Sequence, residues 1–440
     1  MLTNPDLLRP HTSGPKEPSG NGHGSPGAIA ELSRRLRNDR YIRVGLVLLE
    51  RCGDKHMKDL TLLSGDAQRR SIIEGREVIN FGSANFLGLD FHPRLREAIT
   101  NCVAEWGSHQ YCSRAFYSTQ WYEQIESRLA AWLDVEDTLL FPCVTKLHAG
   151  VLPALAGRGD VLAIDRKSHN SIWAASKIAA AHGAEVREFD AANPASLDEA
   201  CQRAPRNGCV VVVDGVYSMT GDVPPLASLY TAARRQGGVL YIDDAHGTGV
   251  VGPRGRGAAY GALGSLRDVL YVGSLSKAFS ALGGFITCTP ALKLMFKMRS
   301  DTYIFSGPIP APYLAATGAV LDLVETDEFD RLLDRLHQRI RQLTSGLQQL
   351  NLPYHGGVGP IVSVLVGEVE RTLAAGYRLF EKGYYVQSVG HPAVPINGGV
   401  LRVQVNANHT AETIAGLLAA MAEVADELNI AKTPSHACVR

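Results

Sequence analysis

Leu270-Tyr-Val-Gly-Ser274-Leu-Ser276-Lys277 reads as a short apolar strand that runs into a hydroxyl-rich turn and a single lysine. Two earlier stretches have the same build. Cys209-Val-Val-Val-Val-Asp214 is followed by Gly-Val-Tyr-Ser218-Met-Thr-Gly221, and Val239-Leu-Tyr-Ile-Asp243 by Asp-Ala-His246-Gly-Thr-Gly249. A strand that is apolar almost throughout must be covered on both faces, the state of a parallel sheet between two helical layers. Further candidates are 138–141, 161–165, 184–189 and 284–288, separated by longer helical patterns between residues 95 and 305. One such pattern, Trp121, Ile125, Leu129 and Trp132, falls on a single stripe of helical period and is expected to face the sheet. The expectation is an α/β domain with a large, mostly parallel sheet.

Flanking regions read differently. Residues 1–28 are rich in Pro, Gly and Ser and have almost nothing to bury, the composition of a disordered leader. An amphipathic pattern from Ala30 to Arg51 suggests a helix, and Val78 to Phe81 a short strand, so 29–94 is read as a helix plus a small-domain segment. The large α/β domain is placed at 95–312. From 313 to 440 a smaller α+β domain is expected: a long helix to Asn351, strands at 361–366 and 401–405, a helix near 373–382, and a last helix with Ile414, Leu417, Leu418, Met421 and Val424 on one face.

Basic and acidic residues balance at 44 each, so no global field draws this chain to nucleic acid or to an anionic membrane. Any anionic ligand needs a local site. The eight cysteines are scattered without a C-x-x-C pair, which reads as reduced thiols in the cytoplasm and gives no zinc site. No run approaches the roughly 18 apolar residues of a membrane helix.

The three opening stretches place Ser218, Asp243, His246, Ser274, Ser276 and Lys277 at the carboxyl ends of expected strands, where open α/β sheets keep their ligand crevice. Each alone has a bland reading: a lysine past a strand is usually a solvated loop residue, and Asp-Asp-Ala-His can be a turn. Together they say more. A carboxylate at one strand end and a lone lysine at the next, inside a hydroxyl-rich turn, is the set that a pyridinium aldehyde cofactor requires.

With these residues the chain resembles the α-oxoamine synthases, a family of pyridoxal 5'-phosphate (PLP) enzymes of fold type I, over about residues 75–430. The most specific parts are Tyr217 to Gly221, Ile242 to Gly249 with Gly255-Arg256-Gly257, and Ser274 to Lys277. The resemblance implies that Lys277 carries PLP as a Schiff base and that Asp243 keeps the pyridine nitrogen protonated. It implies that His246 and Ser218 serve the phenolic oxygen side, and that His169, in Ser168-His169-Asn170-Ser171, stacks on the ring. Arg402, in Leu401-Arg402-Val403, would grip the substrate carboxylate in a bidentate pair. Where the family usually has Ser-Gly-Phe-Ala-Ala-Asn for the phosphate, this chain has Cys143-Val144-Thr145-Lys146-Leu147-His148. Val144 and Thr145 would then give backbone donors, with Ser274 as a further hydroxyl. Ser306, followed by Gly307-Pro308, stands where the family places hydroxyls of the neighbouring subunit.

The activity so implied is condensation of an amino acid with an acyl thioester, carried by coenzyme A or an acyl carrier protein, with loss of CO2, in a symmetric homodimer. Two other readings compete: an aldolase or aminotransferase on the same cofactor site, and a non-catalytic partner subunit. The presence of Lys277, Asp243 and Arg402 together argues against the second.

Overall fold

The apolar runs pair as their composition requires. The computed structural model describes residues 27–431 apart from 40, 41, 44, 47–49, 51, 54–56, 110, 111, 203, 205–207 and 392. The expected leader therefore lies almost entirely outside the described residues, and the Ala30–Arg51 helix is described as Ala28–Arg37 with several later positions left out. Three short strands follow, β1 (Leu62–Gly65), β2 (Arg70–Ile73) and β3 (Arg76–Asn80). The central sheet is built from β4 (Asp137–Phe141), β5 (Val161–Asp165), β6 (Glu185–Phe189), β7 (Cys209–Asp214), β8 (Val239–Asp243), β9 (Leu270–Ser274) and β10 (Gly284–Cys288). Its order is β4-β10-β9-β8-β7-β5-β6.

All neighbours from β9 to β6 run parallel, and β10 is antiparallel to both β9 and β4. Every residue of β5, β7, β9 and β10 is buried, which is why these strands read as unbroken apolar runs. Helices such as Val144–Leu155 and Asn170–Ala181 cover one face and Gln120–Leu133 the other. Three neighbouring strands, β5, β7 and β8, end in a carboxylate: Asp165, Asp214 and Asp243. That row of strand ends forms the floor of the crevice.

Two helices, Ala311–Val324 and Asp327–Gln349, stand where the sequence suggests one. The chain turns at Thr326, whose backbone is extended and which precedes Asp327, Glu328 and Asp330, acidic residues that favour a new helix N-terminus. The second helix leads to a sheet of β11 (Tyr354–Gly356), β12 (Ile361–Gly367), β14 (Gln387–Val389) and β15 (Gly399–Gln404), while β13 (Tyr384–Tyr385) pairs in parallel with β3. The helices Val369–Glu381 and Ala411–Glu427 pack on this C-terminal unit. The Trp121 stripe divides: Ile125, Leu129 and Trp132 are buried in the core, whereas Trp121 meets Trp106 of the helix Pro93–Trp106 edge-on at 6.4 Å. Among the described residues no helix is long and apolar enough to cross a membrane.

Candidate active site

Lys277 sits in the loop between β9 and β10, which is closed by Leu275 N–H donating to Gly283 O and Ala281 N–H to Leu275 O. Burial pushes its ammonium below the usual lysine range, and the Arg402 cation adds to this, against Asp243 and Asp214, which raise it. A lysine so placed favours the neutral amine. Asp243 ends β8 with one carboxylate oxygen, Oδ1, accepting from Ala245 N–H at 3.1 Å. Its Oδ2 lies 3.4 Å from His148 Nε2. Buried Asp214 accepts the His169 backbone N–H at 3.1 Å, and burial together with Asp243 raises its carboxyl well above the ordinary range.

His169 caps the helix Asn170–Ala181, with Nδ1 2.8 Å from Ser171 Oγ, and its ring is exposed. His246 is held neutral by burial, with Lys277, Arg402 and His169 each lowering it further. The two histidines, the lysine and the arginine therefore share one crevice. Arg402, on β15, is buried, and burial lowers it to about 10, so it is still a cation at neutral pH. Its Nε donates to Ser218 O at 2.6 Å and its Nη1 to Gln387 Oε1 at 2.7 Å. Those bonds fix the plane of the guanidinium, and Nη2 takes part in neither of them. Ser218 is thus tied to the site first through its carbonyl.

At the phosphate end, the helix Val144–Leu155 begins at Cys143 without a side-chain cap, so the first-turn amides of Val144 and Thr145 have no capping partner. Facing them is β10. A Cβ on Gly284 would stand 2.9 Å from Val144 N, and Gly284 pairs with Ser274 of β9. Ser274 Oγ is 3.0 Å from Ser276 Oγ and accepts from Ser276 N–H at 3.2 Å. Uncapped amides, a glycine gap and two hydroxyls make an anion cradle, and it fits a cofactor phosphate. Ser306 is elsewhere: its hydroxyl donates to Thr302 O of the same chain, and no contact joins it to the Lys277 crevice among the described residues.

Sequence reading passed over His148, Ser171, Asp214 and Gln387. His148 is fully buried, four residues inside the helix from Val144, with Nδ1 3.0 Å from Ser171 Oγ. The row of aspartates at strand ends was the available signal for Asp214. Gln387 carried none, because its role depends on the β14–β15 pairing, which sets it opposite Arg402.

Residues 76–421 match the family described as aminotransferase class I and II. The 8-amino-7-oxononanoate synthase of Geobacter sulfurreducens is 34% identical over 85% of this chain and 95% of its own. That of Trichlorobacter lovleyi is 33% identical over 81% and 91%. Among solved structures, Sphingomonas wittichii serine palmitoyltransferase superposes with a TM-score of 0.83 at 25% identity, covering 89% of this chain and 98% of that one. An SPT structure holding PLP gives the same TM-score and identity over 91% and 99%. The cofactor of this chain is PLP, and the cradle and crevice have the donors to hold it. The chain belongs to the aminotransferase class I and II family and, within it, to the α-oxoamine synthases.

Proposed function

We propose that this enzyme joins an amino acid to an acyl thioester, releasing CO2 and a free thiol and leaving an α-aminoketone. What supports the reading most directly is the convergence of Lys277, Asp243 and Arg402, from three separate elements, on one buried crevice. When bound, PLP supplies an electron sink for a carbanion at the amino acid Cα. Asp243 holds the proton on the ring nitrogen. Lys277 would hold the cofactor and, as a buried amine whose proton affinity is lowered, would take the Cα proton. Arg402 would bind and orient the substrate carboxylate. His169, on the open side of the crevice, donates to the oxygen of the attacked thioester carbonyl as charge develops there. Val144, Thr145, Ser274 and Ser276 anchor the phosphate, and His246 with Ser218 lines the phenolic oxygen side.

We also propose a symmetric homodimer in the cytoplasm. Phe116 and Phe305 are 83% and 82% exposed. Their segments adjoin, because Ser113 Oγ donates to Ile304 O, and Met298 and Leu294 add exposed apolar surface nearby in sequence. Ser306 lies beside Phe305, where a second copy would receive it. The seven described cysteines are free thiols, in keeping with a reducing compartment.

Product mass spectrometry over a panel of amino acids crossed with acyl-CoA and acyl-carrier thioesters tests the activity. One pair should give an α-aminoketone with CO2 and thiol in equal amounts. Transamination or aldol products from every pair, without thiol release, would overturn the reading.

A further inference from the structure

His148 occupies the sixth position of the stretch Cys143–His148, where the sequence resemblance has asparagine. It has no solvent exposure. Its Nδ1 is 3.0 Å from Ser171 Oγ, its Nε2 is 3.4 Å from Asp243 Oδ2, and Nε2 has no hydrogen-bond partner of good geometry among the described residues. The ring edge meets Tyr241 at 5.9 Å. An ordinary core histidine spends both nitrogens on backbone or hydroxyl groups; this one turns one of them to the carboxylate that serves the cofactor ring. Asp243 is then bracketed, with Oδ1 on Ala245 N–H and Oδ2 facing the imidazole.

We propose that His148 is a positioning residue, which presents a proton on Nε2 to Asp243 and is held in that tautomer by the Ser171 hydroxyl at its Nδ1. A carboxylate only accepts, so the nitrogen facing it carries the proton. Burial keeps the imidazole neutral, against the pull of Asp243, with His169 and Lys277 opposing a second proton. Nδ1 is therefore bare and takes the single proton of Ser171 Oγ. His169 Nδ1, 2.8 Å from the same Oγ, accepts the Ser171 backbone N–H at 3.2 Å. An asparagine at 148 offers Asp243 an N–H, yet its amide cannot pass a proton from one face to the other.

The proposal rests on the PLP reading above, and the test separates the two. Full-length holoenzyme is compared with His148→Phe, His148→Asn and Ser171→Ala, for PLP dissociation constant, for the pH midpoint of the bound cofactor's visible band, and for kcat and KM. In His148→Phe we expect about tenfold weaker PLP binding, a displaced midpoint, and a fall in kcat with KM for the amino acid unchanged. His148→Asn should restore PLP affinity to within a few-fold of the parent but not the parent midpoint, and Ser171→Ala should move the midpoint while leaving PLP affinity nearly intact. If His148→Phe does not fold, the Asn and Ala variants decide. Parental midpoints in every variant that folds overturn the proposal and leave the PLP reading standing. A parent with no visible band at all overturns the PLP reading first.

Discussion

In the proposed site, Arg402 is a side chain made ready before substrate arrives. Its Nε and Nη1 are held by Ser218 O and Gln387, so little freedom is left to lose on binding. Replacing it with alanine removes a charge-assisted contact, and hydrogen bonds to charged groups are worth about 1.5–3 kcal/mol. The amino acid should bind roughly 10- to 150-fold more weakly in Arg402→Ala, read from titration of the holoenzyme absorbance, with some loss of kcat because the carboxylate also sets the Cα bond. Unchanged affinity would make Arg402 a structural strand residue. Lys277, Asp243 and His246 were legible in the sequence because each ends or follows an apolar run in a motif of fixed spacing. Gln387 and His148 were not, since a lone polar residue in a short strand or a helix interior becomes meaningful only when another element is laid against it.

Strands buried on both faces were the most legible elements. Strands β5, β7, β8, β9 and β10 were found nearly to the residue, because two-sided covering writes itself into composition. The hairpin strands β1 and β2 were missed: all four residues of β1 are exposed, so no alternation marks it. The break before Asp327 was readable as a threonine followed by acidic residues, a helix-start signature, but the apolar pattern runs across it. Contact between elements also defines the cradle. An alanine at Gly284 would press its Cβ to 2.8 Å from Val144 Cγ2 and 2.9 Å from Val144 N, so the helix Val144–Leu155 must retreat from β10. Gly284→Ala is expected to weaken PLP binding about tenfold, the loss of one charge-assisted amide contact, while the circular dichroism spectrum stays parental.

At the scale of the whole molecule, the N-terminal segment is fastened to the C-terminal unit through His409. Its ring stacks on Phe81 at 3.9 Å, Nδ1 accepts from Asn406 N–H at 3.1 Å, and Nε2–H donates to Asn80 O at 3.3 Å. Burial holds this imidazole at about 3, against an ordinary 6.5. Because the folded value is depressed, the stability it contributes is present above pH 6.5 and is lost as pH falls toward 3. Urea midpoints measured from pH 7.5 down to 4.5 should decline, and less steeply in His409→Gln. The proposed homodimer is tested separately: the parent should sediment as a dimer, and Phe116→Asp with Phe305→Asp as a less active monomer, since on this proposal Ser306 would no longer reach a second crevice. The crevice floor has a further bearing on how long the protein lasts in a cell. Asp214 is buried beside Asp243, and burial together with the Asp243 charge makes its ionisation harder, a strain on the crevice floor that a pyridinium held there would relieve. Cofactor at a hundredfold excess over its dissociation constant adds about 2.7 kcal/mol to the folded state. Thermolysin should therefore digest the cofactor-free chain markedly faster than the loaded one, and in growing cells the abundance of this enzyme should rise and fall with vitamin B6 supply at constant transcript level.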